Sequence, residues 1–158
     1  MSAERARAYL EKLGAAHRIK TYDESTATVE LAAKAAGVIP ARIAKTLCFK
    51  MGEGALLVVA AGDARVDNKK FKARFGTKAS MLPPEEVERL VGHSVGGVCP
   101  FGINEGISVY LDDSLKRFET VLPAAGSANN CIELNLEELF ELSGAEDWVD
   151  VCKTIANN

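Results

Sequence analysis

The chain has 158 residues, of which 47% are hydrophobic and 26% are charged, and its formal net charge is −3. This size and composition are typical of one globular domain with a buried core, so residues 1–158 are expected to form a single domain. The small negative charge excludes a general attraction to DNA, and no stretch approaches the ~18 apolar residues that cross a membrane.

The cysteines and the first residues indicate a reducing compartment. None of Cys48, Cys99, Cys131 and Cys152 belongs to a CxxC pair, and all but Cys99 lie in apolar, strand-like runs. This arrangement favours buried thiols over disulfides or a zinc site. The N-terminus lacks the apolar core of a signal peptide. We therefore expect a cytoplasmic protein that contains no metal or other cofactor.

The first part of the chain predicts two helices and three strands. Helical spacing predicts helices at 2–13 and 29–36, and apolar runs predict strands at 18–22, 45–51 and 55–61. The last two strands flank a Gly-Glu-Gly turn, which predicts a hairpin. Because the strand at 55–61 is apolar on both faces, it should be central in the sheet.

A basic helix is predicted next. Asp67 is a suitable N-cap, Gly76 can end the helix, and Phe71 and Phe75 share its apolar face. Its polar face and the residues after it carry a run of cations: Lys69, Lys70, Lys72, Arg74 and Lys78. Such a face either contacts a polyanion or is simply solvated.

The rest of the chain predicts more strands than helices. Helices are predicted at 83–91 and 136–143, and strands at 78–82, 107–111, 118–124, 131–134 and 148–152. Asn135 and Glu138 have the spacing of a capping box. Because helices and strands do not alternate regularly, we predict an α+β fold. It should contain a mixed, curved sheet of six or seven strands flanked by about five helices.

A glycine-rich loop at 92–102 separates a helix from a strand, with four glycines and one proline in eleven residues. Glycine lets the backbone approach a ligand closely, and such a loop can direct N–H groups at a developing oxyanion. The alternative is an ordinary connection that needs turn residues. His93 lies in this loop, and we expect its side chain to be solvated.

Two charged residues stand where strands begin or end. Lys45 opens a strand, where an ammonium group can hold a phosphate or polarise a carbonyl, or can reach solvent. Asp63 follows the central strand and either has a functional role or is a turn aspartate paired with Arg65. The residues alone leave both alternatives open.

Taken in order, the motifs of residues 17–152 resemble the YbaK/EbsC family of aminoacyl-tRNA editing domains. This family includes free-standing proteins and the insertion domain of bacterial prolyl-tRNA synthetases. The resemblance rests on Ala44-Lys45-Thr46-Leu47, Gly62-Asp63 with Arg65-Val66-Asp67, Gly96-Gly97-Val98-Cys99-Pro100-Phe101-Gly102, Ala124-Ala125-Gly126-Ser127 and Ile132-Glu133-Leu134.

The resemblance implies a barrel-like sheet and hydrolysis of the ester between a wrong amino acid and the 3′-terminal adenosine of a tRNA. It implies that Lys45 is required for activity and that the GxxxP loop from Gly96 to Pro100 surrounds the ester. The site residues that we expect are, for catalysis, Lys45, Gly96 and Gly97, and, for substrate binding, Tyr22, Thr46, Asp63, Val98, Cys99, Pro100 and Phe101. Lys69, Lys70 and Lys72 are the expected tRNA contacts.

The expected function is that of a trans-editing deacylase that acts on the aminoacylated 3′ end of tRNA. A proline-acceptor tRNA carrying a small wrong amino acid is one candidate substrate, and an aminoacyl-tRNA synthetase is one candidate partner. The alternative is a module that binds aminoacyl-tRNA or a synthetase without catalysis. The chain has Cys99 where some relatives have serine and Cys131 where some have aspartate, so the resemblance does not define the amino acid.

Overall fold

The computed structural model describes residues 2–154. The five α-helices are α1 (Ser2–Lys12), α2 (Val29–Ala36), α3 (Asn68–Phe75), α4 (Pro84–Val91) and α5 (Leu136–Ser143). The ten strands are β1 (Ile19–Thr21), β2 (Ile43–Met51), β3 (Gly54–Ala61), β4 (Ala64–Val66), β5 (Ser108–Asp112), β6 (Thr120–Pro123), β7 (Asn130–Ile132), β8 (Leu134–Asn135), β9 (Asp147–Val149) and β10 (Cys152–Thr154).

Six strands form one mixed sheet in the order β8-β6-β2-β3-β5-β9, which curls into a half-barrel. β2 and β3 form the predicted antiparallel hairpin, with unbroken register from Ala44 opposite Ala61 to Met51 opposite Gly54. β6 and β5 flank this hairpin as parallel neighbours. The predicted α+β class and curved mixed sheet are therefore confirmed.

Two short antiparallel ribbons complete the strands. β1 pairs with β7, and β4 pairs with β10 so that Arg65 stands opposite Lys153. β4 follows β3 after a tight turn, which carries the chain from the centre of the sheet to its margin. This turn lies beside β2, and its carbonyl groups become part of the site described below.

An aromatic row fastens α3 to the sheet. The ring centroids of Phe49 and Phe71 are 4.8 Å apart, Phe71 and Phe75 are also 4.8 Å apart, and Phe75 lies 5.0 Å from Tyr110. The four-residue spacing of the two helical phenylalanines places both rings on the face that meets the sheet. Burial of these rings explains why α3 keeps one apolar face while its other face is basic.

Three helices begin at side-chain caps, and those of α3 and α5 were predicted. Thr28, Asp67 and Asn135 each accept a hydrogen bond from a main-chain N–H of the first helical turn. Asn135 and Glu138 also form the reciprocal capping box. Because these bonds satisfy donors that a helix cannot satisfy internally, they explain why α2, α3 and α5 begin where the sequence predicts.

The structure differs from the prediction in several strands. β4 was not predicted, and the segment predicted as one strand at 131–134 is divided between β7, beside β1, and β8, beside β6. The segment predicted as one strand at 148–152 is divided between β9, beside β5, and β10, beside β4. The buried Asp112 carboxylate accepts a hydrogen bond from the Val151 N–H at 2.9 Å, which holds the chain in a bend between the two. The segment at 78–82 forms an isolated bridge, Phe49 opposite Met81, instead of a strand.

His93 is fully buried, so the expectation of a solvated side chain is wrong. Its Nε2 lies 2.7 Å from the Phe101 carbonyl, and its Nδ1 lies 2.7 Å from the Ser2 hydroxyl. Because a carbonyl only accepts, Nε2 carries the proton and Nδ1 accepts from Ser2. The imidazole thus connects α1 to the glycine-rich loop, a contact between residues 91 positions apart that the local sequence could not reveal.

This buried imidazole predicts a pH dependence of stability. Burial lowers the pKa of His93, so the folded state disfavours protonation. The stability that the fold gains by keeping His93 neutral is fully present above the unfolded pKa of about 6.5. It is lost as the pH falls through the lower pKa of the folded state. The free energy of unfolding, measured with urea from pH 7.5 downward, should therefore decrease more steeply for the wild type than for His93→Gln. His17→Gln serves as the control, and equal slopes for wild type and His93→Gln would contradict the prediction.

Candidate functional site

A pocket of about 200 Å³ lies between β2, the beginning of α2 and the glycine-rich loop. It is lined by Thr26, Ala27, Thr28, Val29, Ala32, Ile43, Ala44, Lys45, Thr46, Val95, Gly96, Val98, Leu122, Ala124, Asn130 and Cys131. Part of this wall belongs to a small second hydrophobic cluster that contains Ala32, Ile43, Leu122 and Cys131. The pocket therefore offers a small, mainly apolar space with polar groups at a few positions.

Lys45 carries a half-buried ammonium group at this pocket. Its Nζ donates to the Ala64 carbonyl at 2.5 Å and to the Gly62 carbonyl at 3.3 Å. Burial lowers its pKa, and nearby groups such as Asp63 and Glu30 oppose that shift. An ammonium group has three N–H donors. Two are held by the turn between β3 and β4, which leaves one for a ligand.

Asp63 holds the turn that positions Lys45. Its two carboxylate oxygens accept hydrogen bonds from Arg117 at 2.9 Å and 2.5 Å. This bidentate pair keeps the pKa of Asp63 below its usual value. The predicted alternative of pairing with Arg65 is wrong, because the 3-10 turn after β5 brings Arg117 to the carboxylate instead. Asp63 lies outside the pocket wall and acts on the turn that contains both carbonyl partners of Lys45.

Thr46, the next residue of β2, has a hydroxyl without a partner. Within residues 2–154, its Oγ1 is the one buried side-chain nitrogen or oxygen atom that makes no hydrogen bond. Buried polar groups are normally paired, so each exception requires an explanation. Since Thr46 lines the pocket, a bound ligand is the simplest source of the missing partner.

The main chain of Thr46 also lies at an open stretch of strand edge. β6 pairs with the first two residues of β2. Farther along, the Cys48 carbonyl and the Lys50 N–H bond to the segment before α4, away from β3. Every second residue of a strand directs its main-chain N–H and C=O to the same edge, so those of Thr46 point to the edge used by Cys48 and Lys50, away from β3. Thr46 can therefore present a donor and an acceptor where the ladder with β6 has ended.

The glycine-rich loop closes the pocket with a short 3-10 turn, Val95–Gly97. The Gly97 N–H donates to the Ser94 carbonyl at 3.0 Å, and the Val98 N–H donates to the Val95 carbonyl at 3.4 Å. These two N–H groups are therefore engaged within the turn. The pocket wall includes Gly96 but not Gly97, so the structure separates the two glycines that we expected to act together.

Close packing explains why residue 97 is glycine. Neither Gly96 nor Gly97 has a positive φ, so conformational freedom is not the reason. A Cβ on Gly97 would lie 2.5 Å from the carbonyl carbon of Gly126, in the loop between β6 and β7. A Cβ on Gly96 would meet the Ala128 methyl group at 3.3 Å. Gly97 is thus required where two loops touch through their main chains.

The rest of the GxxxP loop lies behind the pocket wall. Cys99 and Phe101 are fully buried, and Pro100 is buried as well. The Cys99 thiol lies 3.6 Å from His93 Nε2, and burial raises its pKa to about 12. These three residues, predicted to bind substrate, support the loop from behind the wall, whereas Val98 reaches the wall.

Tyr22 contacts the pocket through Cys131. Its hydroxyl lies 3.4 Å from the Cys131 sulfur, which belongs to the pocket wall, and Tyr22 itself lies outside that wall. Burial raises the pKa of the Tyr22 hydroxyl and of the Cys131 thiol. Both groups are therefore neutral near pH 7, and Cys131 is not an activated thiolate.

The basic face of α3 is partly neutralised. The Lys70 ammonium lies 3.0 Å from an Asp150 carboxylate oxygen and donates to the Cys152 carbonyl at 3.1 Å. Lys69 and Lys72 are exposed. Of the three expected tRNA contacts, Lys70 thus fastens α3 to the bend before β10, and the other two extend into solvent.

Sequence reasoning missed the side of the pocket formed by α2 and by the loop before β7. Thr28 caps α2 and Ala32 lies on it four residues later, and Asn130 accepts from the N–H groups of Ala125 and Ser127. The small residues of α2 were a signal for a close approach, but nothing local shows which strand they approach. Their position depends on pairing between distant segments.

Within residues 2–154, no cluster of three or more His, Cys, Asp or Glu side chains could hold a metal ion. None of the helices in that range is both long and apolar enough to cross a membrane.

The comparison with known proteins agrees with this geometry. A family profile described as "Aminoacyl-tRNA editing domain" matches residues 23–142. The chain is 50% identical to the uncharacterized protein YwhH of Bacillus subtilis over 155 residues, 97% of this chain and 98% of that protein. A solved structure of a candidate trans-editing enzyme for prolyl tRNA synthetase superimposes with a TM-score of 0.86. It is 33% identical, and the match covers 96% of this chain and 97% of that one.

Synthetases contain a related segment. The chain is 30% identical to part of the proline–tRNA ligase of Thermosipho melanesiensis, over 78% of this chain but 22% of the ligase. It therefore spans less than a quarter of that enzyme. The chain belongs to the family of aminoacyl-tRNA editing domains, and the resemblance to YbaK/EbsC proteins is confirmed at the level of the family.

The two loop glycines should respond differently to substitution. Gly97→Ala forces a methyl group against the main chain of Gly126, so we expect a loss of about 1–3 kcal/mol in the free energy of unfolding, as for other overpacked sites. Gly96→Ala meets a methyl group that can shift, so the loss should stay below about 0.5 kcal/mol. Urea denaturation of both variants checks this difference, and equal losses would contradict it.

Proposed function

We propose that this protein is a trans-editing aminoacyl-tRNA deacylase. It hydrolyses the ester between a small wrong amino acid and the 3′-terminal adenosine of a tRNA, with a proline-acceptor tRNA as the first candidate. The observation that carries the proposal is the half-buried Lys45 ammonium at a small apolar pocket, in a chain that belongs to the editing-domain family. Such a substrate would place the protein in the cytoplasm.

The pocket supports a small, uncharged amino-acid side chain as the occupant. Its volume of about 200 Å³ lies below the ~300 Å³ at which sites for larger small molecules begin. Val29, Ala32, Ile43 and Leu122 form its apolar part. A charged side chain would lose hydration there without gaining an ion-pair partner. Discrimination would thus rest on size and polarity.

The chemistry requires little from protein side chains. Water attacks the ester carbonyl, the tetrahedral intermediate collapses, and the ribose oxygen leaves with a proton. The third N–H of Lys45 and the N–H of Thr46 can stabilise the oxyanion, a contribution of about 3–4 kcal/mol for a well-placed donor. Holding the ester and water together in the pocket lowers the entropic part of the barrier.

The substrate itself is the proposed general base. The pocket-lining residues in the described range 2–154 carry no carboxylate and no imidazole. The free hydroxyl of the terminal ribose lies next to the ester by its own covalent structure. It can accept the proton of the attacking water while passing its own proton to the departing oxygen, so that no protein group changes its protonation state.

The tRNA body would extend over the basic side of the molecule. Lys69 and Lys72 are exposed and can reach phosphates of the acceptor stem, whereas Lys70 is held by Asp150. Surface cations of this kind contribute affinity that depends on salt and carries no sequence information. A synthetase that delivers the mischarged tRNA is a further candidate partner.

A panel of mischarged tRNAs tests the proposed activity. Purified protein is incubated with each tRNA and, separately, with the corresponding aminoacyl ethyl esters, and loss of the ester is followed. Faster loss for tRNAs that carry small uncharged amino acids supports the proposal. Binding without ester loss from any tRNA would replace the deacylase with a non-catalytic binding module, and cleavage of the ethyl esters alone would indicate a general esterase.

Lys45 should be essential for the deacylation. Lys45→Ala removes the ammonium group and should lower the single-turnover rate by at least about a hundredfold, the scale of losing one oxyanion donor. Lys45→Arg should restore little, because a planar guanidinium cannot occupy the place of a compact ammonium between two carbonyls. Lys50→Ala, an exposed lysine of the same strand, is the control. Near wild-type deacylation by Lys45→Ala would exclude the role.

Thr46 should show opposite effects on activity and stability. Thr46→Val removes a buried hydroxyl that has no partner, so the free energy of unfolding should stay constant or rise by up to about 1 kcal/mol. If the hydroxyl binds the substrate, the same variant should deacylate about fivefold more slowly, since a hydrogen bond contributes roughly 1 kcal/mol. Thr46→Ser should retain activity. Unchanged kinetics in Thr46→Val would show that the hydroxyl has no such role.

A further inference from the structure

A second cavity, the groove beyond Lys45, has no role in the proposal above. Its volume is about 440 Å³, and its walls include Glu30, Leu47, Arg65 and Met81. That volume lies within the usual range of small-molecule sites, about 300–1,000 Å³. The groove therefore has the size of a binding site rather than of a packing defect.

The groove and the pocket share a wall. Lys45 and Val29 line both cavities. An ester carbonyl held at the Lys45 ammonium would thus have its acyl side in the pocket, and the alcohol side of the same ester would continue into the groove. In an aminoacyl-tRNA, the alcohol side is the terminal nucleoside.

A pair of like charges stands at this groove. Arg65 lines it, and Lys153 lies directly opposite Arg65 in the β4–β10 ribbon. Both side chains are exposed, and neither forms an ion pair within residues 2–154. Residues directly opposite each other in an antiparallel pair are close neighbours, so like charges there destabilise the ribbon. An anion bound between them would reverse that repulsion.

The neighbouring acidic groups neutralise this pair only in part, because Lys153 lies close enough to interact with the Asp67 carboxylate while Arg65 has no such partner in the described range. Asp67 is the closest in sequence, and its carboxylate caps α3 through the N–H groups of Lys69 and Lys70. Glu30 is exposed on the rim of the groove, where it can accept hydrogen bonds from ribose hydroxyls or from an adenine amino group. The charges at the groove thus match a ligand with polar donors at one end and a phosphate at the other.

We propose that the groove binds the 3′-terminal adenosine of the tRNA, and that Arg65 and Lys153 bind the phosphate on its 5′ side. The inference rests on the proposed function and deepens it by assigning the nucleotide end of the substrate. Met81, whose side chain is 58% exposed, and Leu47 provide the apolar surface for the base. Thioether groups make favourable contacts with aromatic rings, which explains a large exposed methionine at this place.

Nuclear magnetic resonance on the intact chain tests the nucleoside site without any need for catalysis. The sequence has three methionines, so labelled methionine methyl groups give a simple spectrum. The Met81 signal should shift on titration with the trinucleotide CCA and should not shift with the dinucleotide CC, which lacks the adenosine. Met51, at the end of the β2–β3 hairpin, is the internal control. No CCA-dependent shift at Met81, or an equal shift with CC, would overturn the assignment.

Charge variants test the phosphate site. The double variant Arg65→Gln with Lys153→Gln should bind uncharged proline-acceptor tRNA about tenfold more weakly at 0.1 M salt, and its logarithmic salt slope should fall by about 0.7. Arg7→Gln with Lys12→Gln removes the same charge from the exposed side of α1 and should change neither quantity. Equal affinity and salt slope in the double variant and the wild type would overturn the phosphate site.

The two proposals fail in distinguishable ways. If the wild type cleaves no ester, the deacylase function fails, while the CCA titration and the tRNA affinities still decide the groove. If the wild type deacylates and the groove variants lose neither affinity nor rate with tRNA, the inference about the groove is wrong.

Discussion

The site depends on the way in which the Lys45 ammonium is held by the carbonyl groups of Gly62 and Ala64. A charge that loses water on burial must gain hydrogen bonds, and two main-chain acceptors provide them. These acceptors exist because the chain reverses tightly between β3 and β4, and the Asp63–Arg117 pair holds that reversal. A lysine at the same position on an isolated hairpin would extend into solvent.

Some residues near Lys45 support the glycine-rich loop from below, and others line the pocket. Cys99, Phe101 and His93 are buried beneath the loop and give it a fixed shape, whereas Gly96 and Val98 reach the pocket. The unpaired Thr46 hydroxyl is the local departure from good hydrogen bonding. Proteins tend to break such rules at functional sites and to compensate for them elsewhere. Stabilising packing elsewhere is provided by β3, which is buried from residue 55 to residue 61, and by the aromatic row against which α3 packs.

Features set by nearby residues could be predicted from the sequence. The caps of α2, α3 and α5, the hairpin and the central position of β3 all follow from residues a few positions apart. The ordered motifs also indicated the family. Contacts between distant segments could not be predicted. His93 is buried because α1 folds over its loop, and the strand predicted at 148–152 divides because Asp112 binds Val151.

The same distinction applies to the candidate site. Lys45, Thr46, Gly96 and Val98 were identified because they belong to recognisable motifs, and they do line the pocket. Gly97 is in the same motif, but its requirement for a small residue comes from Gly126, 29 positions away. The α2 side of the pocket carried no motif. Its small residues acquire a role only when the second hydrophobic cluster brings them against β2 and β6.

The continuous pairing of β2 with β3 has a consequence for how this chain can change in length. Because successive side chains of a strand face opposite sides, inserting or deleting one residue in β2 between Thr46 and the Gly52–Glu53 turn would direct the Lys45 ammonium away from Gly62 and Ala64 and would reverse Thr46 as well. The eight residue pairs from Ala44–Ala61 to Met51–Gly54 leave no bulge to absorb such a shift. Length changes are therefore tolerable at the Gly52–Glu53 tip but not along the strands. Related sequences should vary in length at that tip while the spacing from Lys45 to Gly62 varies only by the residues gained or lost there.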